Sequence, residues 1–526
     1  MKTLIPFQEI DTIPKLIRDF LDGKIEDFKP YSFNITNIAD KIEAKSQTFS
    51  NEKREVLVKV VQEQYEGTEL SSLQKENLEA LLKENTFTIT TGHQLNLFTG
   101  PVFFIYKILQ TIKTSIYLRK QFPEKHFVPI FWMATEDHDF DEINHFRTDE
   151  NYYEIEGVQG GAVGRIKVES NTFLEQFKKE MESFPFGKEL VSWLEEAYGV
   201  GHTLSQSIRI LAQKLFADYG LLLIDGDDKA LKSQMSSAFR EELFSQKLYN
   251  ETKQRIAYLS QTYSKVQVNP REINLFYLTD KRQRIEREGN SFKVIDTQKV
   301  FTEQEILEEL QNFPERFSPN ALMRPVYQET VLPNIAYIGG NAEIMYWLEL
   351  VDYFKSIGLE FPVLIPRHSF TFIDEKTFAK IDKLGFSVKD FFNDYQRMFG
   401  EKLLKNSTLL PTIDEKEKLL KQGFDELKEK ARQTEVTFFN LVEAEQKRQL
   451  KSYQKMRTRL LKAEKKKNQD LLERLNLLAE KINPNAKWQE RQYNFSVFYR
   501  GLGKKWLDIC LEEMPVDKSV MLVLAI

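Results

Sequence analysis

The sequence predicts an α/β protein whose core is an open sheet of parallel strands flanked by helices. Two observations predict it. Short apolar runs, rich in β-branched and aromatic residues and closed by turn residues, recur along the chain. Helical patterns lie between them, and strands that alternate with helices pair in parallel. A third observation concerns function. Each run carries its polar residues at its C-terminal end.

The first predicted strand is "TFTITT", from Thr86, and it runs into the polar loop "TGHQLNLFTGP". Pro101 suits the first turn of a helix, and "PVFFIYKILQTIKTSIYLRK", Pro101 to Lys120, has the apolar content of one. The second strand is "HFVPIFWMA", from His126. The third, "GLLLIDGDD", follows the helical stretch "SQSIRILAQKLFADYG", Ser205 to Gly220; "NIAYIGGNAE" and "FPVLIPRHS" supply the fourth and fifth. Stretches of about 151–204 and 229–334 mix helix and hairpin patterns and read as insertions above the C-terminal edge of the sheet. The core with these insertions is expected over 1–373.

From Phe424 to Asn483 there is neither glycine nor proline, and Lys, Glu, Gln, Arg and Leu dominate. Apolar residues such as Phe424, Leu427, Ala431, Phe438 and Leu441 follow broken heptads, so 374–484 is expected to form an α-helical coiled-coil domain. A helix break is expected between Thr434 and Thr437. An unbroken helix over this stretch would reach about 90 Å, so the domain should project, with "KAEKKKNQD" as a solvated face or the tip. Residues 485–526 are expected to pack back on the core.

With 526 residues, 41% hydrophobic and 12% aromatic, the chain can bury two or three domain cores. Lys and Arg number 74 against 79 acids. A net charge of -5 supplies no field for nucleic acid or anionic lipid, so neither is an expected partner. Cys510 stands alone and reads as a small buried hydrophobe, which fits a reducing compartment. Glu9 and Asp11 interrupt any leader-like apolar stretch, and no run approaches the roughly 20 apolar residues of a membrane span. A cytoplasmic location is expected.

Open α/β sheets bind ligands at the C-terminal edge of their strands, where the strand order reverses, so the polar ends should converge on one crevice. In the first loop, Gly92 and Gly100 permit close backbone approach, and the helix that follows offers free N–H groups to an anion. The bland alternative is an ordinary strand-to-helix loop. The second, "TEDHDFDEINH", sets Glu136, Asp137, His138, Asp139, Asp141, Glu142 and His145 directly after a strand. If a helix begins near Asp139, Glu142 and His145 share a face. A metal site, an acid or base, or a clamp for amine and hydroxyl groups would use such residues, and an acidic helix cap is the alternative. The third places Gly339, Gly340 and Asn341 before Glu343. Arg324 and Arg367 offer planar forks for carboxylate or phosphate, or partners for the acids. No phosphate-loop, dinucleotide, zincin or nucleophile-elbow motif is present.

Together, "TGHQLNLFTGPVFFIYK", "PIFWMATEDHDFDEINH", "YIGGNAEIMYWLEL", "FPVLIPRHSF" and "WQERQYNFSVFY" resemble the bacillithiol biosynthesis cysteine-adding enzymes, the BshC family, in order over nearly the whole chain. The resemblance implies a Rossmann-like core similar to class I aminoacyl-tRNA synthetases, connecting-peptide insertions, and a coiled coil that supports a homodimer. It also implies addition of cysteine to glucosaminyl malate, the last step of bacillithiol synthesis. Where those synthetases carry HIGH, this chain has TGHQ. Where they carry KMSKS, it has "PRHSF", with Arg367 and His368 and no lysine.

On this reading the catalytic candidates are His93, His138 and Asp137. The substrate-binding candidates are Thr91, Gly92, Gln94, Thr99 and Gly100 from the first loop and Asp139, Glu142 and Asn144 from the second. Arg324, Tyr337, Gly339, Gly340, Glu343 and Arg367 complete the set. The substrates are glucosaminyl malate and cysteine. Amide formation requires an activated carboxyl, so ATP or another activated donor is expected, with a nucleotide as partner and no tightly bound metal. Two alternatives belong to other classes: a metal-dependent hydrolase using the acidic cluster, and a non-catalytic assembly factor built on the coiled coil.

Overall fold

A computed structural model describes residues 1–157, 159–263 and 268–526; residues 158 and 264–267, inside the two predicted insertions, lie outside the described residues. The core is a five-stranded sheet of β1 (Thr86–His93), β2 (His126–Met133), β3 (Leu222–Asp225), β4 (Asn334–Gly339) and β5 (Val363–Pro366). Every pairing is parallel, and the spatial order is β3-β2-β1-β4-β5. The chain therefore builds outward from β1 to β3, then returns to the other side of β1 for β4. That reversal makes the crevice between the ends of β1 and β4 the topological switch point.

The strands are nearly continuous apolar runs because both faces are covered. On one face Ile38 and Ile42, from the helix Ile35–Thr48, pack with Phe87, Ile89, Phe127, Ile335, Ile338, Val363 and Ile365. On the other lies α1 (Phe103–Gln121), whose Ile105, Ile108 and Ile112 join Ile130 and Phe131 in the main core. Three of the four threonines of β1 are satisfied inside the sheet, Thr91 by the Ile338 carbonyl. Thr88 and Thr90 donate to Asn334 Oδ1 of β4 at 3.2 and 2.8 Å. A capping box between Thr203 and Gln206 starts α2 (Leu204–Phe216), which leads into β3. Helix α3 (Asn341–Glu349) begins at once after Gly340 and opens its N-terminus on the switch point.

A five-stranded sheet within 275–319, antiparallel throughout, stands over this edge. A third sheet closes the molecule: Val520–Ala525 lies between Lys2–Pro6, antiparallel, and Ser369–Ile373, parallel. The helical region contains α4 (Leu409–Ala431), α5 (Val436–Lys467) and α6 (Gln469–Ile482). The expected break is present, since Glu435 is extended and α5 starts at Val436. Helices α4 and α5 are antiparallel, joined by Arg457 to Asp414 near one end and Gln446 to Asp425 further along. The reversal lies at 432–435, so "KAEKKKNQD" is at the other end of the hairpin. There Leu461 and Lys465 pack by Gly400 of the helix Tyr395–Lys405. The lysines are thus not the tip, because a four-residue turn breaks the chain earlier. Among the described residues no helix is long and apolar enough to cross a membrane.

Candidate active site

A cavity of about 400 Å³ opens at the switch point. The end of β1 contributes Gly92, His93 and Gln94, and the end of β2 contributes Trp132 through Asp137. Tyr337, Gly340, Asn341 and Glu343 come from β4 and α3, and Arg367 follows β5. Arg282, Arg324 and Arg491 complete its charged wall.

His93 packs against Phe103 and Phe104, with ring centres 5.2 and 5.3 Å away. The Gln94 N–H donates to its Nδ1 at 2.8 Å, which leaves the proton on Nε2. That Nε2 is buried and has no hydrogen-bond partner among the described residues. Burial, with the nearby charges of Lys107 and Arg367, holds the imidazole well below its ordinary value. His93 is therefore a neutral ring whose Nε2–H has no partner among the described residues.

Asp137 accepts Gln94 Nε2 at 2.7 Å and the His138 N–H at 2.9 Å, and Arg282 Nη1 lies 3.7 Å away. Burial alone would raise its pKa, but the hydrogen bonds from His138 and Gln94 and the Arg282 charge bring it down to about 2. It is a fixed carboxylate. Glu136 turns instead toward Lys232, at 2.6 Å, where burial raises its pKa against the attraction of that lysine.

Two arginines make no ion pair among the described residues. Arg324 donates to Gln328 Oε1 at 3.0 Å and the Tyr337 hydroxyl at 3.3 Å, both neutral. The Arg491 guanidinium makes no hydrogen bond or ion pair within the described residues, and lies 5.6 Å from the Phe103 ring centre. Arg367 differs, for Glu490 takes it in a buried bidentate pair at 2.9 and 2.7 Å. A second cavity of about 540 Å³ adjoins the first, shares Asn341, Ala342 and Arg491 with it, and adds Lys15, Lys487 and Trp488.

Of the residues singled out in the sequence, His93, Asp137, Gly92, Gln94, Arg324, Tyr337, Gly340, Glu343 and Arg367 line the cavity. His138 is at its rim, where its Nδ1 accepts from Arg282 Nη1 at 3.1 Å. Glu142 reaches the site indirectly, by accepting from Gln94 Nε2 at 2.9 Å. No helix begins at Asp139. The segment instead makes a turn, with the Glu142 N–H directed at Asp139 Oδ1, and then enters the short strand His145–Arg147. Asn144 faces His145. Thr91 bridges the sheet by donating to the Ile338 carbonyl at 2.8 Å, and a Cβ on Gly339 would meet Tyr337 at 3.0 Å. Gln94 thus links Asp137 with Glu142 and Arg282 links Asp137 with His138, and among the described residues no group of three or more acids and histidines could hold a metal ion.

Thr99 and Gly100 shape the loop rather than line the cavity. Phe98, Thr99 and Gly100 have φ of 47°, 67° and 62°, three consecutive left-handed residues. Asn494 Nδ2 holds them by donating to the Phe98 and Gly100 carbonyls, both at 2.7 Å. The late motif "WQERQYNFSVFY" is explained by this geometry. Its Glu490 fixes Arg367, its Arg491 enters the cavity, and its Asn494 clamps the first loop. Lys107, Arg282 and Arg491 were not found by reading the sequence. A lysine inside "FFIYKILQ" was the one available signal, since a charge on an apolar helix face needs a buried partner.

The family model described as the bacillithiol biosynthesis BshC N-terminal Rossmann-like domain matches residues 2–368, and the BshC C-terminal coiled-coil domain matches 370–526. The chain belongs to the BshC family. A relative in Flavobacterium johnsoniae, named "Putative cysteine ligase BshC", is 40% identical over 524 residues, covering 99% of each chain. BshC of Flavobacterium psychrophilum, with the same name, is 40% identical over 96% of each. The Salinibacter ruber BshC is 27% identical, over 90% of this chain and 89% of its own.

Proposed function

We propose that this chain is the ligase that forms the amide bond between cysteine and glucosaminyl malate in bacillithiol synthesis. The observation that carries the reading is the presence, in one cavity, of two arginines without an ion-pair partner among the described residues and a fixed carboxylate. Glucosaminyl malate has matching chemistry, two carboxylates and one amine. Arg324 and Arg491 would hold the malyl carboxylates, while Asp137, set by Gln94, would orient the amine.

A free carboxylate does not acylate an amine, so the cysteine must arrive activated by ATP or an equivalent donor. The adjoining cavity suits a nucleotide, since Trp488 offers a ring for stacking and Lys487 offers a cation for phosphate. As the amine attacks, negative charge grows on the acyl oxygen. The neutral His93 would stabilise it through its unpaired Nε2–H, which needs no proton transfer to serve as a donor. The tetrahedral adduct then collapses by breaking the acyl C–O bond and expelling the donor's phosphate group, and the amine's proton leaves with that phosphate or to solvent, because Asp137, held at about 2, is too weak a base to keep it. The family name of the relatives supports the cysteine donor, and the apolar residues exposed along α4 and α5 support a homodimer through the hairpin.

Thermal melting with glucosaminyl malate, cysteine and ATP tests the reading. Ligand at a hundred times its dissociation constant stabilises by about 2.7 kcal/mol, so glucosaminyl malate should raise the melting temperature of the wild type and not of Arg324→Met. No shift in the wild type, with cysteine and ATP also present, overturns it.

A further inference from the structure

Lys107 has no chemical step in the reaction above, although it is almost wholly enclosed beneath the cavity, at 1% side-chain exposure. An ammonium group has three hydrogens, and here each has an acceptor. One goes to the Gly92 carbonyl, and two go to Glu343 Oε1 and Oε2 at 2.7 and 2.8 Å. Gly92 lies near the end of β1, and Glu343 sits on the first turn of α3. The lysine therefore spans the switch point from below. Glu343 also accepts the Tyr337 hydroxyl at 2.7 Å, and that hydroxyl accepts from Arg324, so the same chain reaches the anion-facing guanidinium.

We propose that Lys107 is the positioning residue of this crevice. It fixes the His93 loop against α3 and neutralises Glu343, so that an anionic substrate meets Arg324 and Arg491 without a competing carboxylate. The inference rests on reading the cavity as the ligase site. Its charge also acts on His93, where it disfavours the imidazolium, so loss of the lysine must change the proton uptake of that ring.

The test uses the full chain as Lys107→Met and as Lys107→Met/Glu343→Gln. Melting temperature, steady-state ligation, and NMR titration of His93, assigned with His93→Ala, are measured for each. Removing one partner of a buried pair costs far more than removing both, so the double variant should regain most of the stability lost in the single one. Positioning predicts that His93 takes up its proton at higher pH in both variants. It also predicts that kcat stays at least tenfold down in the double variant despite the regained stability. A His93 titration unchanged in either variant, or ligation restored along with stability, overturns the proposal. If the wild type itself forms no product, the ligase reading fails separately, and the titration still decides the role of Lys107.

Discussion

At the scale of single residues, the site depends on two groups whose protonation is fixed by their surroundings. His93 is held neutral with one unpaired N–H, so His93→Ala should cut ligation roughly a hundredfold, as loss of a transition-state donor does, without loss of fold. His138, at the rim and bound to Arg282, should matter less. Near-normal turnover in His93→Ala, measured on purified protein, removes that ring from the mechanism. Asp137 provides the pH test. Its folded value of about 2 lies below the ordinary 3.8, so the stability its charge contributes is complete above about pH 4 and is lost as pH falls toward 2. Asp137→Asn should therefore lower stability at pH 7 by up to about 2 kcal/mol, and the deficit should shrink through that window. A deficit that stays constant from pH 7 to pH 3 in thermal melts contradicts it. Gly92, His93 and Asp137 were legible as cavity residues because polar residues at the ends of the core strands converge in this fold, whereas Arg324 reaches the cavity from the first turn of the helix Met323–Val331. Arg282 was not, because "KRQRIERE" reads as an exposed charged strand until the inserted sheet is seen to lean over the cavity.

At the scale of elements, the loop between β1 and α1 and the helical hairpin make separate claims. The loop's three left-handed residues are held by Asn494, which is 394 positions from Gly100, a link that no local pattern encodes. Asn494→Ala leaves buried carbonyls without donors and should cost about 1–3 kcal/mol while raising KM for the amine substrate. A KM unchanged in a destabilised variant would confine the loop to a structural role. The break before α5 was legible from the β-branched residues around Thr434, whereas the antiparallel return was not, because a heptad pattern does not name its partner. Leu427, Phe438 and Leu441 are 43%, 47% and 61% exposed on this hairpin. If the hairpin makes the homodimer proposed above, changing all three to serine should give a monomer with helical content intact. A dimer that persists by light scattering places the contact elsewhere.

At the scale of the molecule, the five core strands could be read directly, since strands buried on both faces are short continuous apolar runs. Their order could not. The position of β4 beside β1 depends on a crossover that spans the whole of the inserted sheet, and that position alone creates the switch point. The central place of Val520–Ala525 in the closing sheet was equally hidden, because its partners are the first and the middle segments of the chain. This closure brings Glu490, Arg491 and Asn494 to the cavity, so the core and the C-terminal domain build one site between them. The most direct measurement of the account is thiol metabolite analysis of a bacterium that lacks its own BshC and expresses this chain, wild type or His93→Ala. The account predicts bacillithiol with the wild type, and glucosaminyl malate accumulating without bacillithiol in the variant at equal abundance. Accumulated glucosaminyl malate and no bacillithiol in cells with abundant wild-type protein would contradict it.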